Sequence, residues 1–123
     1  MKICIIVSNF YPKISNLLVN GAASCLKKNK ISNYKIIYVP GTFEIPVVIS
    51  NLIMKYDAFI ALGCIIKGKT PHFHYLCSSV INALVNLSVK NKKPIGNGIL
   101  TCDNQKQAVE RANPNKKNKK EAP

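Results

Sequence analysis

The chain has 123 residues, 47% of them hydrophobic, and carries a formal net charge of +13. That length suits one domain with one core, and that apolar share excludes wholesale disorder. No apolar run approaches the roughly 18–20 residues of a membrane span, and five cysteines with no C-x-x-C pair argue against a disulfide framework or a zinc cluster.

In chain order, "KICIIV" at 2–7 reads as a buried strand, short, apolar and β-branched. Its apolar core is shorter than the roughly 7–15 residues of a signal peptide, so the chain reads as cytoplasmic. From Pro12 to Asn29 the period turns helical, with Ile14, Leu17, Leu18, Gly21, Ala22, Cys25 and Leu26 on one face and Pro12 in the first turn. "YKIIYV" at 34–39 is a second strand, ended by Pro40-Gly41. A helix follows over Phe43–Met54, provided that Pro46 lies in its first turn. "DAFIALG" at 57–63 is a third strand, and His72–Val89 a long helix. "PIGNGIL" at 94–100 is a fourth strand, and 104–112 a short helix with Asp103 as its N-cap.

Strands that are apolar throughout and alternate with helices predict a four-stranded parallel sheet covered on both faces, a three-layer α/β/α sandwich. Ligands of such sheets bind at the carboxyl ends of the strands. Here those ends are "SNFYP" (8–12), "PGTFE" (40–44), "GCIIKGKTPH" (63–72) and "TCDN" (101–104).

The third of these spells a P-loop, with Gly63, Gly68, Lys69 and Thr70 at G-x-x-x-x-G-K-T spacing. Its context argues against one. Ile65 and Ile66 are β-branched and extend a strand rather than wrap a phosphate. Thr70 precedes Pro71, which pushes it out of helical geometry. No strand ends in an acidic residue to orient magnesium. The segment still suits an anion: Gly68 permits close approach, Lys69 and Thr70 offer donors, and His72 can move protons near neutral pH.

The positive charge comes from lysine, with Arg111 as the one arginine. Read along the string, no basic stripe stands apart from the candidate site, and no recognition helix or RNA-binding aromatic motif occurs. The reading is a compositionally biased surface or, as the alternative, a site for an anionic small molecule, with no nucleic acid and no membrane partner.

"VPGTFEIP" (39–46), "YDAFIALGCIIKGKTPHFHY" (56–75), "PIGNGILT" (94–101) and "QAVERA" (107–112), with "SNF" at 8–10, together resemble the lumazine synthase family over residues 10–112. The resemblance implies a flavodoxin-like fold and a transferase without metal or organic cofactor. The implied reaction condenses 5-amino-6-(D-ribitylamino)uracil with 3,4-dihydroxy-2-butanone 4-phosphate to 6,7-dimethyl-8-ribityllumazine, phosphate and water, the penultimate step of riboflavin biosynthesis. It implies that Phe10 stacks on the pyrimidine and that Thr42, Phe43 and Glu44 hold the ribityl chain and ring. Cys64, Ile65 and Ile66 then offer backbone groups to the uracil edge. Lys69, Thr70, Arg111 and Lys119 bind phosphate, and His72 transfers protons. A homopentamer with sites between subunits is implied, and riboflavin synthase as a further partner.

Four departures stand out. Asn97 occupies a substrate-facing position where the family commonly has phenylalanine. Tyr11 replaces a common Asn, and the family's leading strand has no counterpart here. Residues 1–112 form the expected domain; 113–123 make a Lys-rich tail where the family has a Gly-rich loop and a final helix. The alternative reading is a truncated, non-catalytic relative that binds a flavin-like or phosphate ligand.

Overall fold

In a computed structural model of the chain, residues 1–68 and 72–113 are described. Four parallel strands form one sheet in the order β2-β1-β3-β4: β1 (Ile3–Ser8), β2 (Tyr34–Val39), β3 (Ala58–Ile66) and β4 (Ile95–Cys102). The helices are α1 (Pro12–Lys28), α2 (Ile45–Leu52), α3 (His72–Asn91) and α4 (Gln105–Ala112). The order is flavodoxin-like, as expected.

Chain reversal about β1 decides which face each helix covers. The step from β1 to β2 runs one way and carries α1. The steps from β2 to β3 and β3 to β4 run the other way, so right-handed crossovers put α2 and α3 on the opposite face. Two cores result. Ile3, Ile5 and Val7 of β1 point toward α1 and α4, with Leu18, Leu26, Ala108 and Ala112. Cys4 and Ile6 point toward α2 and α3, with Ile45, Ile49, Val80 and Leu84. Every residue of β1 is buried, the mark of a central parallel strand.

Four expectations are corrected. Strand β3 runs three residues past Gly63, because Ile65 and Ile66 keep their pairing with Thr101 and Cys102. The would-be P-loop wrap is therefore extended backbone. The Phe43–Met54 helix splits into a 3-10 turn over Thr42–Glu44 and α2, with Pro46 in the first turn of α2. Helix α4 is capped by Asn104, not Asp103: Asn104 Oδ1 accepts from the Gln107 N–H at 2.8 Å, and Gln107 Oε1 accepts from the Asp103 N–H at 2.8 Å. On α1, Cys25 is exposed and Ser15 is buried. The Ser15 hydroxyl bonds the carbonyls of Ser8 and Tyr11, which makes a polar side chain acceptable inside.

The topology also gathers charges that the string scatters, correcting the expectation of no separate basic surface. At the amino-terminal end of the sheet lie Lys2 before β1, Lys27, Lys28 and Lys30 at the end of α1, Lys55 before β3, Lys90 in the last turn of α3, and Lys92 and Lys93 between α3 and β4. Asp57 is the one acidic residue there among the described residues. The carboxyl end balances Lys13, Lys67, Lys106 and Arg111 against Glu44, Asp103 and Glu110. Among the described residues no helix is long and apolar enough to cross a membrane.

Candidate active site

The sheet changes direction between β1 and β3, and a crevice opens there at the carboxyl ends. The Asn9 N–H still reaches the Val39 carbonyl at 2.8 Å, so the chain stays pinned just past β1. It then turns at Phe10 and Tyr11 into α1. Phe10 is left 68% exposed, its ring edge-on to Tyr11 with centroids 4.9 Å apart.

Across the crevice, Pro40-Gly41 releases β2 into the 3-10 turn. Thr42 faces inward and is buried, while Phe43 stands 61% exposed at the rim. Thr42 reaches this depth because Gly63 lacks a side chain. A Cβ on Gly63 would lie 2.8 Å from Thr42 Cγ2 and 3.1 Å from Ser8 Cβ. The Glu44 carboxylate folds back to Gly41, where a Cβ would sit 3.0 Å from Glu44 Oε1.

The resulting cavity measures about 240 Å³. Its floor is Ser8, Thr42 and Cys64–Ile66, its rim Phe10, Tyr11 and Phe43, and Leu76 of α3 closes one side. Six predicted residues thus meet in one place: Phe10, Thr42, Phe43, Cys64, Ile65 and Ile66. Ser8, Gly41 and Leu76 were not singled out. Their signals were position at a strand end and, for Leu76, a place one helical turn after His72. Tyr11 had been noted only as a departure.

Other predicted residues stand around or apart from the cavity. His72 begins α3 and is exposed; Leu76, on the same helical face, lines the cavity. Arg111 projects from α4 to the end of β4, its Nη1 donating to the Thr101 carbonyl at 3.2 Å and to Cys102 Sγ at 3.7 Å. Asn97 lies early in β4, opposite Ala61, its Oδ1 accepting from the Ile99 N–H at 3.0 Å. It borders a different, shallow groove with Ile81, Val85, Val89 and Ile95 at the open edge of the sheet. Lys69, Thr70 and Lys119 lie outside the described residues.

The cavity floor is electrically quiet. Burial, then electrostatic repulsion from Cys102 and a hydrogen bond with it, push the Cys64 thiol from 9.0 up to about 12, against a smaller opposing pull from Arg111. Cys64 is therefore a neutral thiol at physiological pH, unsuited to nucleophilic attack. Burial, with a smaller contribution from Cys64, also raises the Tyr11 phenol. Arg111 contacts Cys102, whose register partner Ile66 lines the cavity. The arrangement can stack a planar ring between aromatic rims, offer strand-end backbone to its edge and present a guanidinium to an anion. It holds no activated nucleophile among the described residues.

A family model described as 6,7-dimethyl-8-ribityllumazine synthase matches residues 1–122. A protein of that name from Bartonella tribocorum is 46% identical over 121 residues, covering 95% of this chain and 79% of the relative. One from Streptomyces coelicolor is 42% identical over 113 residues, covering 91% and 70%. One from Renibacterium salmoninarum is 41% identical over 112 residues, covering 91% and 70%.

Proposed function

The chain belongs to the 6,7-dimethyl-8-ribityllumazine synthase family, and from that premise we propose how its residues carry out the family's reaction. The protein is a transferase that condenses 5-amino-6-(D-ribitylamino)uracil with 3,4-dihydroxy-2-butanone 4-phosphate, giving 6,7-dimethyl-8-ribityllumazine with release of phosphate and water. The observation that carries the site assignment is the convergence of Phe10, Thr42, Phe43 and Cys64–Ile66 on one crevice at the sheet's switch point.

The pyrimidine stacks on Phe10, an exposed ring held by its edge contact with Tyr11. The ends of β3 supply backbone groups to its edge. The tolerance of that contact for side-chain type explains why an unreactive Cys64 and two isoleucines serve there. Glu44, folded beside Gly41, accepts hydrogen bonds from the hydroxyls of the ribityl chain. Lys69, Thr70 and Lys119 supply donors and charge for the phosphate. Arg111 adds a planar fork whose Nη1 is anchored to the end of β4. His72 passes protons during imine formation and phosphate elimination, steps that need positioning and charge stabilisation more than covalent catalysis.

Size argues that one copy is half a site. A cavity of about 240 Å³ falls below the roughly 300–1,000 Å³ of small-molecule pockets, and two substrates must share it. Its aromatic rims are uncovered. Asn97, the remaining substrate-facing residue, lies on the open β4 edge beside exposed Val85 and Val89. A second copy laying that edge across Phe10 and Phe43 completes the walls, as in a homopentamer. We place the protein in the cytoplasm, with riboflavin synthase as the partner that takes the product.

The test is lumazine formation from both substrates, followed by absorbance, with Arg111→Ala beside the unmodified chain. Product above the spontaneous background, lost in the variant, supports both reaction and phosphate role. A folded, assembled protein that gives no excess product overturns the reading.

A further inference from the structure

The amino-terminal end of the sandwich, opposite the candidate site, is a continuous basic surface whose origin is only partly ordinary. Lysines in the last turn of a helix complement its dipole, which accounts for Lys27, Lys28 and Lys90. That account does not reach Lys30 and Lys92. These are the two non-glycine residues with positive φ among the described residues, at 59° and 54°, just past the ends of α1 and α3. Glycine or asparagine is the favoured residue at such a position. Asparagine is plentiful in this chain, so compositional bias alone would satisfy the geometry without charge. Lys2 and Lys55 stand before strands, where no helix dipole calls for them.

Lys93 is different, because its ammonium donates to the Ile53 and Tyr56 carbonyls at 2.6 and 2.9 Å and is spent on structure. The others have no ion-pair partner among the described residues. Lys2 lies 5.0 Å over the Tyr56 ring and is the only one of them held by an aromatic face. Between Lys27 and Lys30 the surface dips into an open groove whose walls are the hydroxyl-bearing Ser24 and Ser32 and the ring of Tyr34.

We propose that this end of the sandwich binds the phosphate backbone of a nucleic acid without regard to sequence. Ammonium groups spread from the β2 edge to the β4 edge act as point charges for phosphates in any register. The absence of an arginine there leaves no bidentate reader of bases. The groove adds hydroxyl donors and one aromatic face, the combination that tracks a single strand. An anionic bilayer fits less well. Met1 and Met54 are exposed there, but each stands beside a lysine and no apolar stripe joins them.

The test uses the full chain and a fluorescein-labelled, random-sequence single-stranded 20-mer, as RNA and as DNA, followed by anisotropy. If about four phosphates are neutralised, affinity falls about 50-fold between 50 and 200 mM salt, a log–log slope of about −2.8. Lys27→Gln/Lys28→Gln/Lys30→Gln should flatten that slope by about 2. Lys30→Gly/Lys92→Gly should weaken binding while melting no lower than the parent, since glycine suits both backbones; this separates lost contact from lost fold. Lys13→Gln/Lys67→Gln/Lys106→Gln removes the same charge from the other end and should leave binding within about twofold. Binding of RNA, of DNA or of both with this pattern supports the proposal. Equal losses in the two triple variants, an unaffected amino-end variant, or binding confined to phosphatidylserine vesicles overturns it.

Discussion

The two ends of the sheet are made from the same four strands yet solve opposite problems. At the carboxyl end, strands release into short loops that place a few side chains at fixed depths, and among the described residues positive and negative charges nearly balance. At the amino end, helices arrive and strands begin, and the surface is almost uniformly cationic. Specific chemistry thus sits where backbone geometry is most constrained, by Gly63, Thr42 and the paired end of β3. Charge accumulates where geometry demands little. A lysine can be exchanged among many places at the amino end, whereas Gly63 has one place.

That contrast can be broken by substitutions, the most damaging first. Arg111→Ala should lower turnover by about 10²–10³-fold, the usual consequence of losing a single oriented donor to developing charge. Lys55→Gln, which removes the same charge at the other end, should leave steady-state turnover unchanged. Equal losses would mean that net charge and not placement matters. Gly63→Val forces a side chain against Thr42 and Ser8 and should cost about 1–3 kcal/mol by chemical denaturation, with loss of substrate binding. Asn104→Ala removes the cap of α4 and should cost about 1 kcal/mol, read from the urea midpoint; Asp103→Ala should cost less.

The smallest effects are those of pH on Cys64. Its raised folded-state value means that the folded chain holds this proton more tightly than the unfolded chain does. The associated stability is complete below pH 9 and is lost as pH climbs toward about 12. Cys64→Ala should flatten that alkaline decline in a series of melts. At pH 8, iodoacetamide should label exposed Cys25 and spare Cys64, as peptide mass mapping would show.

Much of this was legible in the residues. Strand ends, helix order and the parallel sheet followed from apolar runs alternating with helical periods. The site's composition followed from "PGTFEIP" and the stretch around Gly63. What the string hid was whatever depends on partners distant in sequence. The third strand reads as 57–63 with Ile65 and Ile66 favouring extension, and it is pairing with Thr101 and Cys102 that carries β3 to Ile66. Asp103 and Asn104 are equivalent caps in propensity; the Gln107 side chain, reaching back to the Asp103 N–H, selects the second. Ser15 looked polar and Cys25 apolar, and burial reversed them because the Ser8 carbonyl needed a donor. The basic end was invisible because its lysines span residues 2 to 93 and only the topology assembles them.

The central position of β1 has a consequence for how the protein is made. Its pairing with β3 joins residues 55 apart, as in the contact of Lys2 with Asp57, and its partner β2 also comes later in the chain. At a synthesis rate of roughly 5–20 residues per second, β1 waits about 3–11 s after leaving the ribosome before its second neighbour is available. During that wait Ile5, Ile6 and Val7, wholly buried in the finished fold, keep unpaired the edge that β3 later covers. The best-protected strand of the folded enzyme thus depends on a partner made well after it, and until then it is the kind of short apolar run that a holding chaperone reads.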